Sequence, residues 1–153
     1  MSAATLYVED FAVGQEWVSQ GRTITESDLV SFAAWSWDTN EVHTDEVAAS
    51  RGRFGTRIAH GMLGAAIAMG LVSRLGVFEG SSIALLGIDE WRFERPLLIG
   101  ETVRCRVTIL SVRPTSAGDA GILDRRLELV SSDGTVLQHG RIGLMVACRP
   151  ASP

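Results

Sequence analysis

The sequence predicts an α+β domain in which one long, buried central helix is wrapped by a curved antiparallel β-sheet. Three observations lead there. Between Gly61 and Leu75 almost every residue is apolar, and a helix that is apolar all round must be covered on most sides. From Ser81 onward the period changes to two, the mark of half-buried strands. Asp133-Gly134 then separates two such runs, a strong hairpin signal. One buried helix followed by about four long antiparallel strands is a sheet curled over a helix, not a doubly wound layer.

Taken in order, Glu16 to Thr23 reads as a short first strand. Thr25 reads as an N-cap, with Glu26 and Asp28 acidic in the first turn and Leu29, Val30, Phe32, Ala33 and Trp37 at helical spacing. That helix spans about three turns and ends near Trp37. Asp38 to Gly55 is polar and glycine-containing, and reads as loop around one short helix after Thr44. The helix from Gly61 to Leu75 carries small residues at Gly64, Ala65, Ala68 and Gly70 that allow close backbone approach, and Gly76 is its C′ stop.

Ser82 to Arg95 is a long strand closed by Pro96, with Ile99-Gly100-Glu101 as the following turn. Val103, Cys105, Val107 and Ile109 alternate with Thr102, Arg104, Arg106 and Thr108. Leu123, Leu127 and Leu129 share one face of the next strand, and Thr135 to Cys148 forms the last. A single sheet over one helix leaves an apolar flank open, so a homodimer that continues the sheet is expected.

A chain of 153 residues fits a single domain, 1–153, and needs no covalent staple. The net charge of −4 argues against nucleic acid or an anionic membrane as a partner. Cys105 and Cys148 sit in strand-like runs and read as buried small hydrophobes, not as a disulfide framework or metal site. Met1 to Asp10 lacks the charge and apolar regions of a signal peptide. The longest apolar stretch is interrupted by Gly64, Gly70 and Arg74 and is too short to span a bilayer. A cytoplasmic protein without metal or cofactor is the expectation.

Three histidines are present. His139, in the last strand, reads as structural or solvent-facing, whereas His43 and His60 lie in segments bounded by turn residues, where function concentrates. Asp38 and His43 are five residues apart and would fall on different faces of one helix, so they can cooperate only across a turn, which Asn40 favours. A carboxylate and an imidazole held together can clamp one water, the first accepting a proton and the second orienting or relaying. The plainer reading is that Asp38 caps a helix end and His43 satisfies a core polar group.

Asp38-Thr39-Asn40-Glu41-Val42-His43-Thr44-Asp45, followed by Ile58-Ala59-His60-Gly61-Met62-Leu63, resembles the signature of the MaoC-like dehydratases, which include the R-specific enoyl-CoA hydratases. Phe11-Ala12-Val13-Gly14-Gln15, Trp91-Arg92-Phe93-Glu94-Arg95-Pro96 and Ile99-Gly100-Glu101-Thr102-Val103 extend the likeness over most of the chain. The resemblance implies a hot-dog fold, usually paired into dimers, acting on CoA or carrier-protein acyl thioesters. It implies Asp38 and His43 as the catalytic pair, Asn40 as their support and the Gly61 N–H as the group that binds the thioester oxygen. Trp37, His60 and Met62 are the further substrate-side candidates, His60 with the alternative of orienting the loop. Two positions depart from the pattern: the family's proline is Glu41, which implies a looser loop or an extra carboxylate at the mouth, and its glycine is Trp37, which implies a narrowed acyl pocket.

Arg51, Arg53, Arg57, Arg92 and Arg95 are candidates to meet the phosphates of CoA or a pantetheine arm, against a plain surface role. Two other functions compete with reversible hydration of an enoyl thioester: thioester hydrolysis and non-catalytic binding of an acyl thioester.

Overall fold

The computed structural model describes residues 5–151. A short 3-10 turn at Val8–Asp10 precedes two short strands, β1 (Glu16–Val18) and β2 (Arg22–Thr23). Three helices follow, α1 (Glu26–Ser36), α2 (Glu41–Thr44) and α3 (Glu46–Arg51), then the long helix α4 (Gly61–Ser73). The chain ends in four long strands, β3 (Ser82–Phe93), β4 (Thr102–Pro114), β5 (Ala120–Ser131) and β6 (Val136–Ala147). All pair antiparallel in one sheet of order β1-β4-β5-β6-β3, with β2 beside β1 on β4. This is the helix-in-sheet architecture expected from the periodicity.

The core lies between α4 and the concave face of the sheet. Ile67, Ala68, Leu71 and Val72 of α4 pack with Val103, Cys105, Val107 and Ile109 of β4, Leu123, Leu127 and Leu129 of β5, and Ile142 of β6. Each fully buried Leu, Ile or Val contributes roughly 1.5–3 kcal/mol. Gly64 is required by packing: a Cβ there would lie 2.2 Å from the side-chain nitrogen of Gln138. Gly70, also expected to admit close backbone, faces open space.

Several boundaries differ from the sequence reading. The first strand is broken because Ser19 turns inward and takes both ladder positions opposite Cys105, its N–H donating to the Cys105 carbonyl and its Oγ accepting from the Cys105 N–H, each at 2.9 Å. The stretch read as loop contains a second helix, α2, capped by Asn40. Cys105 is fully buried, which pushes its thiol up to about 12. Cys148 lies just past β6 and is only half-buried. No helix among the described residues is long and apolar enough to cross a membrane.

Strand β3 forms one edge of the sheet, and it is exposed along nearly its whole length, including Ile83, Leu85, Leu86 and Ile88. A long apolar edge strand with unpaired backbone groups is a surface that needs covering.

Candidate active site

The site is assembled where α1, α2 and α4 meet. Helix α1 is opened by a capping box between Thr25 and Asp28 and closed by Trp37, which adopts φ 63°, ψ 12°. A left-handed residue there reverses the chain, and glycine is the usual occupant. Trp37 is 87% exposed and lines none of the described cavities.

The reversal leads into Asp38, whose N–H donates to Ser36 Oγ at 3.2 Å. Asn40 then caps α2, its Oδ1 accepting from the Val42 N–H at 3.1 Å. Glu41 is therefore the first helical residue of α2. Proline suits that position because its missing N–H is not needed there, and an acidic residue suits it because of the helix dipole. Glu41 is thus compatible with the start of α2 that the Asn40 cap sets.

Helix α2 aims His43 at the segment before α4. The Ile58 N–H donates to the Val42 carbonyl at 3.2 Å, and His43 Nδ1 lies 2.7 Å from the Ile58 carbonyl oxygen. A carbonyl only accepts, so Nδ1 carries the proton and Nε2 of the neutral ring keeps a lone pair. His60, the residue before α4, is buried, and its Nε2 donates in the same way to the Asp38 carbonyl at 2.9 Å. The two imidazoles stack with centroids 3.8 Å apart, and Phe32 of α1 covers His60 from 4.9 Å. His60 Nδ1 has no hydrogen-bond partner among the described residues. Asp38, His43 and His60 each bring a ligand-type atom within 4.8 Å of the others, a donor set of the kind that can hold a divalent ion.

Arg57 fastens this corner. Its Nη atoms donate to both oxygens of Glu26 on α1 at 2.7 Å, and its Nε donates to Glu46 on α3 at 2.6 Å. The Arg57 hydrogen bonds hold the Glu26 carboxyl below its ordinary value. Arg57 is thus committed to two carboxylates and is not a phosphate ligand, contrary to one sequence expectation.

Gly61 opens α4, so its N–H has no acceptor within the helix. A cavity of about 460 Å³ lies beside it, lined among others by His43, Arg53, Phe54, Phe93, Arg95 and Gln138. A Cβ on Gly61 would lie 2.9 Å from the Phe93 ring, so glycine keeps this wall open. Met62 points away, 55% exposed and outside that cavity. Arg51, Arg92 and His139 do not line it, although His139 Nε2 lies 3.1 Å from Oε1 of Glu94, which does. The sequence reading did not single out Phe54 or Gln138. Gln138 is buried on the inward face of β6, with its Oε1 accepting from Trp91 Nε1 at 3.2 Å. Its signal was a polar residue in register with inward-facing Gly140, Ile142, Leu144 and Val146.

The arrangement offers an imidazole lone pair and a helix-start N–H on one cavity of mixed polar and apolar lining, with the Asp38 carboxylate beside the imidazole but not itself lining that cavity. That set can activate a water and stabilise an oxyanion.

Comparison with known proteins gives concordant matches. The family model described as MaoC like domain matches residues 10–123. An (R)-specific enoyl-CoA hydratase from Rhodospirillum rubrum is 40% identical over 109 residues, 71% of this chain and 72% of that protein. The crystal structure of a monoamine oxidase regulatory protein from Archaeoglobus fulgius is 29% identical and superposes with a TM-score of 0.90, covering 98% of this chain and 99% of that one. A Mycobacterium tuberculosis protein with a double hotdog fold, 18% identical, superposes with a TM-score of 0.80 over 97% of this chain and 46% of that one, which bears on fold alone.

Proposed function

The chain belongs to the MaoC-like domain family and has its hot-dog fold, and from that premise we propose that it reversibly adds water to trans-2-enoyl thioesters, giving R-3-hydroxyacyl thioesters. The activity named for its Rhodospirillum rubrum relative supports the class of reaction. The observation that carries the reading is local: His43 is anchored through Nδ1, leaving Nε2 as an acceptor, next to Asp38 and close to the start of α4.

A water between the two side chains donates one hydrogen to each. Asp38 takes the proton as the water oxygen bonds to C3, His43 holds the second hydrogen, and the proton is returned through the pair to C2. The N–H of Gly61, backed by the α4 dipole, receives the charge that grows on the thioester oxygen. Asn40 shapes α2 and so positions His43. His60 is a positioning residue that ties the Asp38 backbone to the start of α4. Arg53 and Arg95, at the cavity wall, are suited to the phosphates of a CoA or carrier arm. The exposed edge β3 is covered by a second copy of the chain.

Incubation with crotonyl-CoA tests this directly. Loss of enoyl absorbance without free thiol is the expected result. Release of thiol identifies a thioesterase and no change a binding subunit, and either overturns the proposal.

A further inference from the structure

Arg125 of β5 is a buried cation that pairs with no anion among the described residues. It is 1% exposed, its Nε donates to the Ile142 carbonyl at 3.2 Å, and its guanidinium sits 4.9 Å from the centre of the Phe78 ring. Its Nη2 is buried without a hydrogen-bond partner among the described residues. None of the ion pairs among the described residues includes it. Its sheet neighbours Arg106, Arg126 and Arg141 each reach a carboxylate. Burial pulls Arg125 down to about 10, which leaves it charged at neutral pH. A desolvated, unpaired cation is costly to a fold unless something compensates it.

The compensating space is present. A cavity of about 440 Å³ adjoins Arg125, lined by apolar Met69 and Val72 of α4, Phe78 and Leu144 of β6, and by polar Ser73, Arg74 and Ser82. It shares no lining residue with the cavity at Gly61, and eight residues of α4, about 12 Å, separate Gly61 from Met69. Exposed Glu79 stands at its edge and makes no ion pair with Arg125.

We propose that this cavity is a carboxylate-binding pocket, in which the Nη edge of Arg125 receives a carboxylate and Met69, Val72, Phe78 and Leu144 enclose a short apolar stem. Arginine is suited to the task because its planar fork matches a carboxylate and its charge survives burial. The carboxylate has two sources, a free short-chain acid or the far end of an acyl chain whose thioester lies at Gly61. The second source rests on the hydratase reading, and the first does not.

Thermal unfolding with hexanoate and with its neutral isostere hexanamide provides the test, on the wild type and on R125M. The wild-type melting temperature should rise with hexanoate concentration and not with hexanamide, and R125M should lose the rise. Equal shifts with both compounds, no shift with either, or a shift retained in R125M overturns the pocket. Should R125M not fold, crystals of the wild type grown with 6-bromohexanoate decide: bromine density beside Phe78 supports the proposal and its absence rejects it. A second arm separates the sources. If the acyl end is the ligand, an enoyl-CoA ending in carboxylate is preferred over its methyl-ended counterpart by about tenfold or more, a preference lost in R125M. If a free acid is the ligand, hexanoate binds with no such preference. Failure of the hydratase reading would silence this second arm and leave the melting result intact.

Discussion

His43 and His60 stack face to face, 3.8 Å apart, and each donates from one ring nitrogen to the backbone of a different segment. His43 reaches forward to the Ile58 carbonyl, and His60 reaches back to that of Asp38. The pair therefore staples the loop before α2 to the strand-like segment before α4. Replacing His60 by Phe keeps the ring and the burial but removes the donor. The expected outcome is a folded enzyme with KM little changed and kcat lower by about tenfold to a hundredfold. An unchanged kcat would show that the Asp38 backbone needs no such tie.

Asp38→Asn and His43→Asn separate anchoring from chemistry. In His43→Asn the new side-chain amide can still donate to the Ile58 carbonyl, so the loop stays in place while the Nε2 lone pair is lost. Each change should lower kcat on crotonyl-CoA by about 10²–10⁴-fold, with the circular dichroism spectrum intact. Near-wild-type turnover in either variant would remove that side chain from the proposed mechanism.

Trp37 holds a left-handed conformation with its side chain in solvent. Relief of that backbone is worth about 1–2 kcal/mol, offset in part by the roughly 0.4–1 kcal/mol of chain entropy that glycine adds to the unfolded state. Trp37→Gly should thus stabilise the protein by about 0.5–1 kcal/mol in a urea titration. A destabilised variant would mean that the indole is covered, for instance by a second protomer.

The exposed apolar edge predicts its own disruption. Ile83→Lys combined with Leu85→Lys places two charges on β3, where edge lysines discourage strand pairing. Light scattering should record a dimer for the wild type and a smaller species for the double variant. A wild-type monomer at micromolar concentration would refute the paired-edge proposal.

The β5–β6 turn gives an acid dependence with a definite sign. The Ser131 hydroxyl and then the Thr135 N–H donate to Asp133 and hold its carboxyl down at about 2. A carboxylate depressed on folding stabilises fully above its unfolded value of about 3.9. That contribution fades as pH falls through the folded value of about 2. Between about pH 4 and pH 2 the wild type should lose stability relative to Asp133→Asn, measured by thermal unfolding at each pH. Parallel curves for the two proteins would contradict the assignment.

Much of this was legible in the residues alone. The apolar run at Gly61, the alternation of Val103 to Ile109 and the Asp133-Gly134 turn are local signals, and local signals survive into the fold because burial rewards the same pattern they display. Helix α2 escaped notice because four residues carry no periodicity; only the Asn40 cap announces it. The break between β1 and β2 was invisible because it depends on a serine bonding to a strand distant in sequence.

By itself, then, the sequence determined the helix-in-sheet class, the order of the elements, and the presence of Asp38, His43 and Gly61 in segments bounded by turn residues. The tertiary structure alone decided which atoms of those residues are free. The protonated nitrogen of His43 follows from a carbonyl fifteen positions away, and the commitment of Arg57 from two glutamates on other helices. Likewise, only packing could reveal that Arg125, one arginine among several in alternating strands, lies buried beside a cavity and outside every ion pair among the described residues. Spacing records which face a side chain takes, but a hydrogen-bond partner or a missing one is set by what long-range contacts bring against that face.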